Sequence, residues 1–505
     1  MNTFLLSHEL LVLALGLALL FVELWLPPSA RRNLGYAAAL GLSAILIYSL
    51  LTVKVPHGAV YYAFGKMYAL DGLALFFKRF FLLAAIIVLI MSVEFADRIE
   101  AGIAEFYALI LFALLGMLFA SSANDFALLF VSLELITVTF YVLTSFQRAR
   151  LSSLEAGVKY LIIGALSTGF TVFGIALVSG VSRTFNFGEL ATLAPQFADN
   201  KIFLFGLLLV MVGLGFKIAA FPFQIWAPDV YQGAPAPTTA FLAIGSKAAG
   251  FVLLLRVLFT AVPAITAQWS NLLMIIAAIS ILYGNLCAIP QTNLKRLLGY
   301  SSIAHAGYML LGIAALNQAG QSAVLYYLSG YLFTVLAAFT VICLVMRQVD
   351  GEDIAALAGL NRRSPLLAAT MALAMISLAG IPPLAGFFGK FLLLKSIIER
   401  APAHPGYYCL AFTTLAGVVI SIYYYFGVVR AIYWSKVVPD LSTIPTSKPI
   451  LVSIYGCLAG MLFLGLYPNP VVKLADEAAS ALNSDTNRIA TSSAADANLT
   501  APNPP

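Results

Sequence analysis

About fourteen predominantly apolar runs, each near twenty residues long, follow one another along this chain. A hydrocarbon core about 30 Å thick takes about 20 residues of helix to cross. In lipid the backbone must satisfy its own hydrogen bonds, so such runs fold as helices. They lie at roughly 8–26, 34–53, 72–93, 103–121, 124–146, 157–180, 203–222, 237–260, 269–289, 294–316, 321–346, 365–398 (broken), 405–432 and 449–467. Composition agrees. Of 505 residues, 61% are hydrophobic and 10% charged, against roughly 45–50% and 25% in a soluble domain. So few charges cannot coat a soluble globule of this length. The expectation is one all-α polytopic membrane domain over 1–480, followed by a small, polar, mobile tail over 483–505. That tail carries a glycosylation sequon by pattern alone, Asn498-Leu499-Thr500.

The first run is expected to be a retained span. It has no Lys or Arg before it and ends in Pro27-Pro28 without a small-residue cleavage site. With the N-terminus outside, inner loops hold about twice as many Lys and Arg as outer ones, which predicts an even number of spans and both termini outside. The net charge of +6 comes from scattered residues, without the basic patches and interleaved aromatics of a nucleic-acid binder. The four cysteines stand far apart and form no C-x-x-C, and no Gly-rich phosphate loop is present. No metal, cluster or cofactor site is therefore expected in this chain.

Two runs carry helix breakers at their centres. GLGFKIAAFPFQIWAPDVY (213–231) holds Pro222 and Pro228, and SLAGIPPLAGFFGKFLLLK (377–395) holds Pro382 and Pro383. Proline removes a backbone donor and clashes with the preceding turn. A break in lipid is tolerated where it is buried in protein or lines a polar cavity. The breaks fall in the seventh and twelfth runs, five apart, which predicts two inverted five-helix repeats, about 103–260 and 269–432. Paired interrupted helices in inverted halves point to a transport pathway. Glu134 and His305 then occupy matching positions, and Lys217 falls opposite the half-helix bearing Lys390 and Lys395.

Charges inside the membrane cost about 2.5–3.5 kcal/mol each at mid-span. Glu134, Lys217, Lys247, Lys390, Lys395 and His305 all lie in apolar runs, so they must be paired, hydrated or partly neutral. Structural pairing is one reading, with Lys390 satisfying carbonyls freed by the second break. A proton relay is the other. A carboxylate at 4 Å holds a proton on a lysine by about 4 kcal/mol at an effective dielectric of 20, and loosening the contact lets the proton move on. Glu134 would act on Lys217, and the proton would pass to Lys247, with Glu134, Lys217, Lys247, His305 and Lys395 expected to form a row along the membrane midplane. Asp229, after the seventh run, is expected either to cap a half-helix or to guide protons. Lys78, Arg79 and Arg256 lie near span ends and are expected to snorkel.

The stretches KIAAFPFQIWAPDVYQGAPAPTTAFLAIGSKAAG (217–250), NLKRLLGYSSIAHAGYMLLG (293–312) and SLAGIPPLAGFFGKFLLLK (377–395) resemble the subunit N family of proton-translocating NADH-quinone oxidoreductase, respiratory complex I. The YQGAP-x-P-T-T stretch favours subunit N over its siblings L and M. The lack of a long C-terminal extension argues against L, and a lysine at 395 against M. The resemblance implies an antiporter-like fold of fourteen helices, with Glu134 and Lys217 as a pair, Lys247 central, Lys395 at the exit and His305 joining the halves. It implies no flavin, iron–sulfur or nicotinamide site here; FMN, the clusters and quinone belong elsewhere in the complex. It implies the other membrane subunits as partners, among them L, M and small hydrophobic subunits, in a bacterial cytoplasmic (inner) membrane with periplasmic termini. Rival readings are a component of a stand-alone multisubunit cation/proton antiporter and a non-transporting membrane scaffold.

Overall fold

The computed structural model describes residues 3–349, 351–435 and 442–482; the expected tail at 483–505 lies outside them. Nearly every described residue outside short turns is helical. Thirteen helices among the described residues are long and apolar enough to cross a membrane, from Phe4–Glu23 to Lys448–Leu466. Where the sequence places its twelfth run stand two shorter helices, Pro365–Ala379 and Ala385–Arg400. The chain is a multi-pass membrane protein.

Side chains at the loop ends start many of these helices. Asp71, Asp125, Asn200, Asn293 and Asn317 each accept a hydrogen bond from a backbone N–H in the first turn of the helix they precede. Those donors have no partner within the helix, so the caps fix where the third, fifth, seventh, tenth and eleventh spans begin. Between the second and third spans a two-stranded hairpin pairs Tyr61–Ala63 with Tyr68–Leu70, an element the apolar pattern does not announce.

Burial sorts the spans into centre and periphery. The eighth (Ala236–Ala261) is entirely buried, and the tenth (Leu294–Ala314) and eleventh (Gln318–Met346) nearly so. The first, second, sixth (Leu151–Ser182), thirteenth (Gly406–Trp434) and fourteenth are the least buried and carry much of the apolar surface that lipid requires. Lys247 and His305 thus sit on the two most buried helices.

Both expected breaks are present. The seventh span ends at Ile218 with Ala219 in the left-handed region (φ 56°), and the chain resumes as Trp226–Gly233. Pro365–Ala379 ends on Gly380 (φ 85°). Contrary to the expectation of buried breaks, Pro222, Pro382 and Pro383 are exposed on this chain's surface. Proline has no N–H to satisfy, so it is the residue that can face outward without losing a hydrogen bond. The polar groups around it turn inward. Phe221 N–H donates to Ser280 Oγ at 3.0 Å, and the Trp226 indole donates to the Phe216 carbonyl at 2.9 Å.

Arg256 and Lys78 depart from the snorkelling expectation. Arg256 is buried and donates to Asp71 at 2.9 Å and to the Ser121 carbonyl. Lys78 is fully buried, 2.5 Å from Glu9 of the first span and against the Tyr68 hydroxyl of the hairpin. Each has found a carboxylate far away in sequence, which removes the reason to reach for the interface.

Candidate functional site

The ionisable residues of the interior fall into two neighbouring groups. In the first, Glu134 on the fifth span (Phe126–Thr144) and Lys217 on the seventh (Lys201–Ile218) line one small void with Ser167, Thr168 and Thr171 of the sixth. No ion pair closes it. Glu134 accepts from the Thr168 hydroxyl at 2.8 Å, while the Lys217 ammonium donates to the Thr137 hydroxyl. Lys217 is buried, Glu134 half-buried. The carboxylate and the ammonium thus share a cavity whose walls offer hydroxyls, a setting in which a water can bridge them.

The second group is built on the eighth and tenth spans. A π-helical turn over Leu242–Ser246 delivers Lys247 at the start of Lys247–Arg256; such turns are rare and recur at functional sites. The Lys247 ammonium donates to the carbonyl and the hydroxyl of Ser302, 2.8 Å each. One turn later on the same helix, His305 bonds the Tyr327 hydroxyl through Nδ1 at 2.5 Å and the Tyr425 hydroxyl through Nε2 at 3.0 Å. Tyr425 also bonds the Ser301 hydroxyl. Lys390, buried on Ala385–Arg400, donates to the carbonyls of Leu378 and Ala379 at 2.8 and 3.0 Å and lies 4.9 Å from the Tyr308 ring centre.

Gly250 brings the groups together. A Cβ there would stand 3.1 Å from the Lys217 Cβ and 2.8 Å from Ile218 Cγ2. The eighth span passes this close to the seventh because position 250 has no side chain, and Lys247 is one turn away.

Asp229 lies apart from the lysine series. It holds Lys159 at 2.8 Å and Arg296 at 2.5 Å, tying the sixth span, Trp226–Gly233 and the tenth span together. Burial alone would raise its carboxyl, but the hydrogen bonds from Lys159 and Arg296 outweigh it and hold it below the usual carboxylate range.

Comparison with known proteins meets this geometry over its whole extent. The family model described as NADH:quinone oxidoreductase/Mrp antiporter, TM, matches residues 123–419. NADH-quinone oxidoreductase subunit N of Desulforamulus reducens is 38% identical over 478 residues, covering 95% of this chain and 98% of that one. The chain belongs to the subunit N family of NADH-quinone oxidoreductase. A chain of respiratory complex I from Thermus thermophilus with bound aureothin superposes with a TM-score of 0.76 at 35% identity, covering 93% of this chain and 99% of that one. A chain of the Mrp complex from Dietzia, at 19% identity and a TM-score of 0.77 over 94% of this chain and 97% of that one, shares the fold.

In this subunit N family member, the structure gathers Glu134, Lys217, Lys247, His305 and Lys390 and leaves out Lys395. The Lys395 side chain is 60% exposed, with Nζ 3.7 Å from Glu399. The five expected relay groups therefore do not form one row; the inward lysine of the twelfth run is Lys390. Sequence reasoning missed Tyr327 and Tyr425, the two partners of the His305 ring. Their one available signal was the tyrosine runs Tyr326-Tyr327 and Tyr423-Tyr424-Tyr425 within otherwise apolar spans.

Proposed function

We propose that the chain is the proton-translocating membrane subunit of an NADH-quinone oxidoreductase, and that Glu134, Lys217, Lys247, His305 and Lys390 carry the proton. The observation behind this reading is the set of three buried lysines, Lys217, Lys247 and Lys390, none in an ion pair with a carboxylate among the described residues. Three other buried cations, Lys78, Arg256 and Lys295, each pair with a carboxylate. A structural role would favour such pairing, since each unpaired charge costs about 2.5–3.5 kcal/mol in mid-membrane. A lysine held by hydroxyls and carbonyls alone can give up its proton without leaving a stranded carboxylate.

In this reading a proton settles on Lys217 while the Glu134 carboxylate faces it across the void. When that attraction weakens, the proton moves past Gly250 to Lys247. Ser302, Tyr425, His305 and Tyr327 then supply hydroxyl and ring nitrogens toward Lys390. Like charges repel most strongly in a low-dielectric interior, so a proton arriving at Lys247 favours release at Lys390. Asp229 is a brace between helices and Lys395 a surface residue. The halves 103–260 and 269–432 are inverted repeats in this account: the fourth span packs on the fifth as the ninth does on the tenth, and the sixth on the seventh as the eleventh on Pro365–Ala379.

This chain performs no redox chemistry. Electrons pass through FMN, iron–sulfur clusters and quinone in other subunits of the translocase. Its partners are the antiporter-like subunits L and M and the small hydrophobic subunits, in a bacterial cytoplasmic membrane with both termini periplasmic. Lys217→Ala in the assembled complex tests the reading: proton pumping and coupled quinone reduction drop several-fold while the complex still assembles. Lys217→Arg does not rescue, because arginine keeps its proton. Wild-type pumping in Lys217→Arg membranes would refute the role.

A further inference from the structure

A cavity of about 750 Å³ opens between the second, third, eleventh and fourteenth spans and the helical segment 469–482, away from the lysine series. Its walls are apolar, with Leu50, Phe80, Leu332 and Phe463 among them, and its polar residues include Lys54, His57, Arg79 and Glu477. Arg79 donates through Nε to Ser49 Oγ (3.2 Å) and through Nη2 to the carbonyls of Ser49 and Val53 (2.8 and 2.9 Å), at the C-terminal end of the second span. Among the described residues Nη1 makes no hydrogen bond, and neither Arg79 nor Lys54 meets a carboxylate. Glu477 is 3.5 Å from His57.

A cleft in the flank of a membrane protein is filled by whatever surrounds it. Cavities of roughly 300–1,000 Å³ suit one small ligand. Apolar walls meeting two cations without carboxylate partners match a molecule with a long hydrocarbon part and an anionic head. We propose that this cavity binds one glycerophospholipid, its acyl chain along Phe80 and Leu332 and its phosphate on Arg79 and Lys54. Arg79 then completes its donor set with phosphate oxygens, the pairing its planar fork favours. The bound lipid joins the second span to the eleventh and fourteenth.

The intact membrane assembly containing this chain, purified in detergent and washed extensively, provides the test by native mass spectrometry and phosphorus analysis of extracted lipid. One phospholipid per copy of the chain should survive the wash in the wild type. The loss should be at least fivefold in the double variant Arg79→Gln/Lys54→Gln, and similar in Ser329→Trp, which fills the cavity without touching the cations. If the double variant does not assemble, Ser329→Trp decides alone. A photoreactive benzoylphenylalanine in place of Phe463, whose ring already lines the cavity, should cross-link to phospholipid. Unchanged lipid retention in Ser329→Trp, or cross-linking to a polypeptide, would overturn the proposal.

Discussion

Lys247 and Ser302 meet through two hydrogen bonds of 2.8 Å, one to the serine carbonyl and one to its hydroxyl. The carbonyl of Ser302 lies within a helix, so this ammonium shares an acceptor with the helical ladder and has no carboxylate partner among the described residues. Ser302 stands one turn before His305, so the contact ties the eighth span to the tenth beside the histidine.

The placement of Lys390 and Lys395 yields a prediction that separates them. Lys390→Ala should lower proton pumping several-fold, since it removes the buried cation beside the Tyr308 ring. Lys395→Ala should leave pumping within a factor of two of wild type, because its side chain lies on the surface beside Glu399. Pumping assays on membrane vesicles carrying each variant distinguish the two, and equal losses would contradict the placement.

The buried pair of Glu9 and Lys78 makes a stability prediction. Lys78→Met strands a carboxylate at a fully buried position, which costs about 3–5 kcal/mol. Replacing both, as Glu9→Leu/Lys78→Met, should recover most of that loss, since an apolar pair of similar volume needs no desolvation. Thermal stability of the purified assembly measures both. A double variant as unstable as the single one would show that Glu9 serves another partner.

Orientation can be tested at exposed positions. Cysteine at Ala149, between the fifth and sixth spans, and at Gln196, between the sixth and seventh, should react with an impermeant maleimide from opposite sides in a background lacking the four native cysteines. Ala149→Cys should react from the cytoplasm and Gln196→Cys from the periplasm. Reversed sides would invert the assigned topology.

The spans were legible in the sequence because bilayer thickness dictates run length, and Asp or Asn at the loop ends marks several starts. The tenth span, read as 294–316, is observed as Leu294–Ala314. Facing was not legible. Lys390 and Lys395 are five residues apart, about 140° around a helix, so both cannot point inward, and the run alone does not say which does. Long-range partners were equally hidden. Lys78 finds Glu9 across 69 positions and Arg256 finds Asp71 across 185, and both would otherwise read as interfacial. Tyr327 and Tyr425 were invisible for a related reason, since a tyrosine in an apolar span reads as packing until a histidine is seen against its hydroxyl.

The central claim is that an unpaired lysine at position 247 passes protons between the halves. The most direct test compares proton pumping with NADH-driven quinone reduction in vesicles containing the assembled complex with Lys247→Ala. The account predicts normal assembly, with pumping and coupled quinone reduction both reduced several-fold. Wild-type pumping per electron in Lys247→Ala vesicles would contradict it.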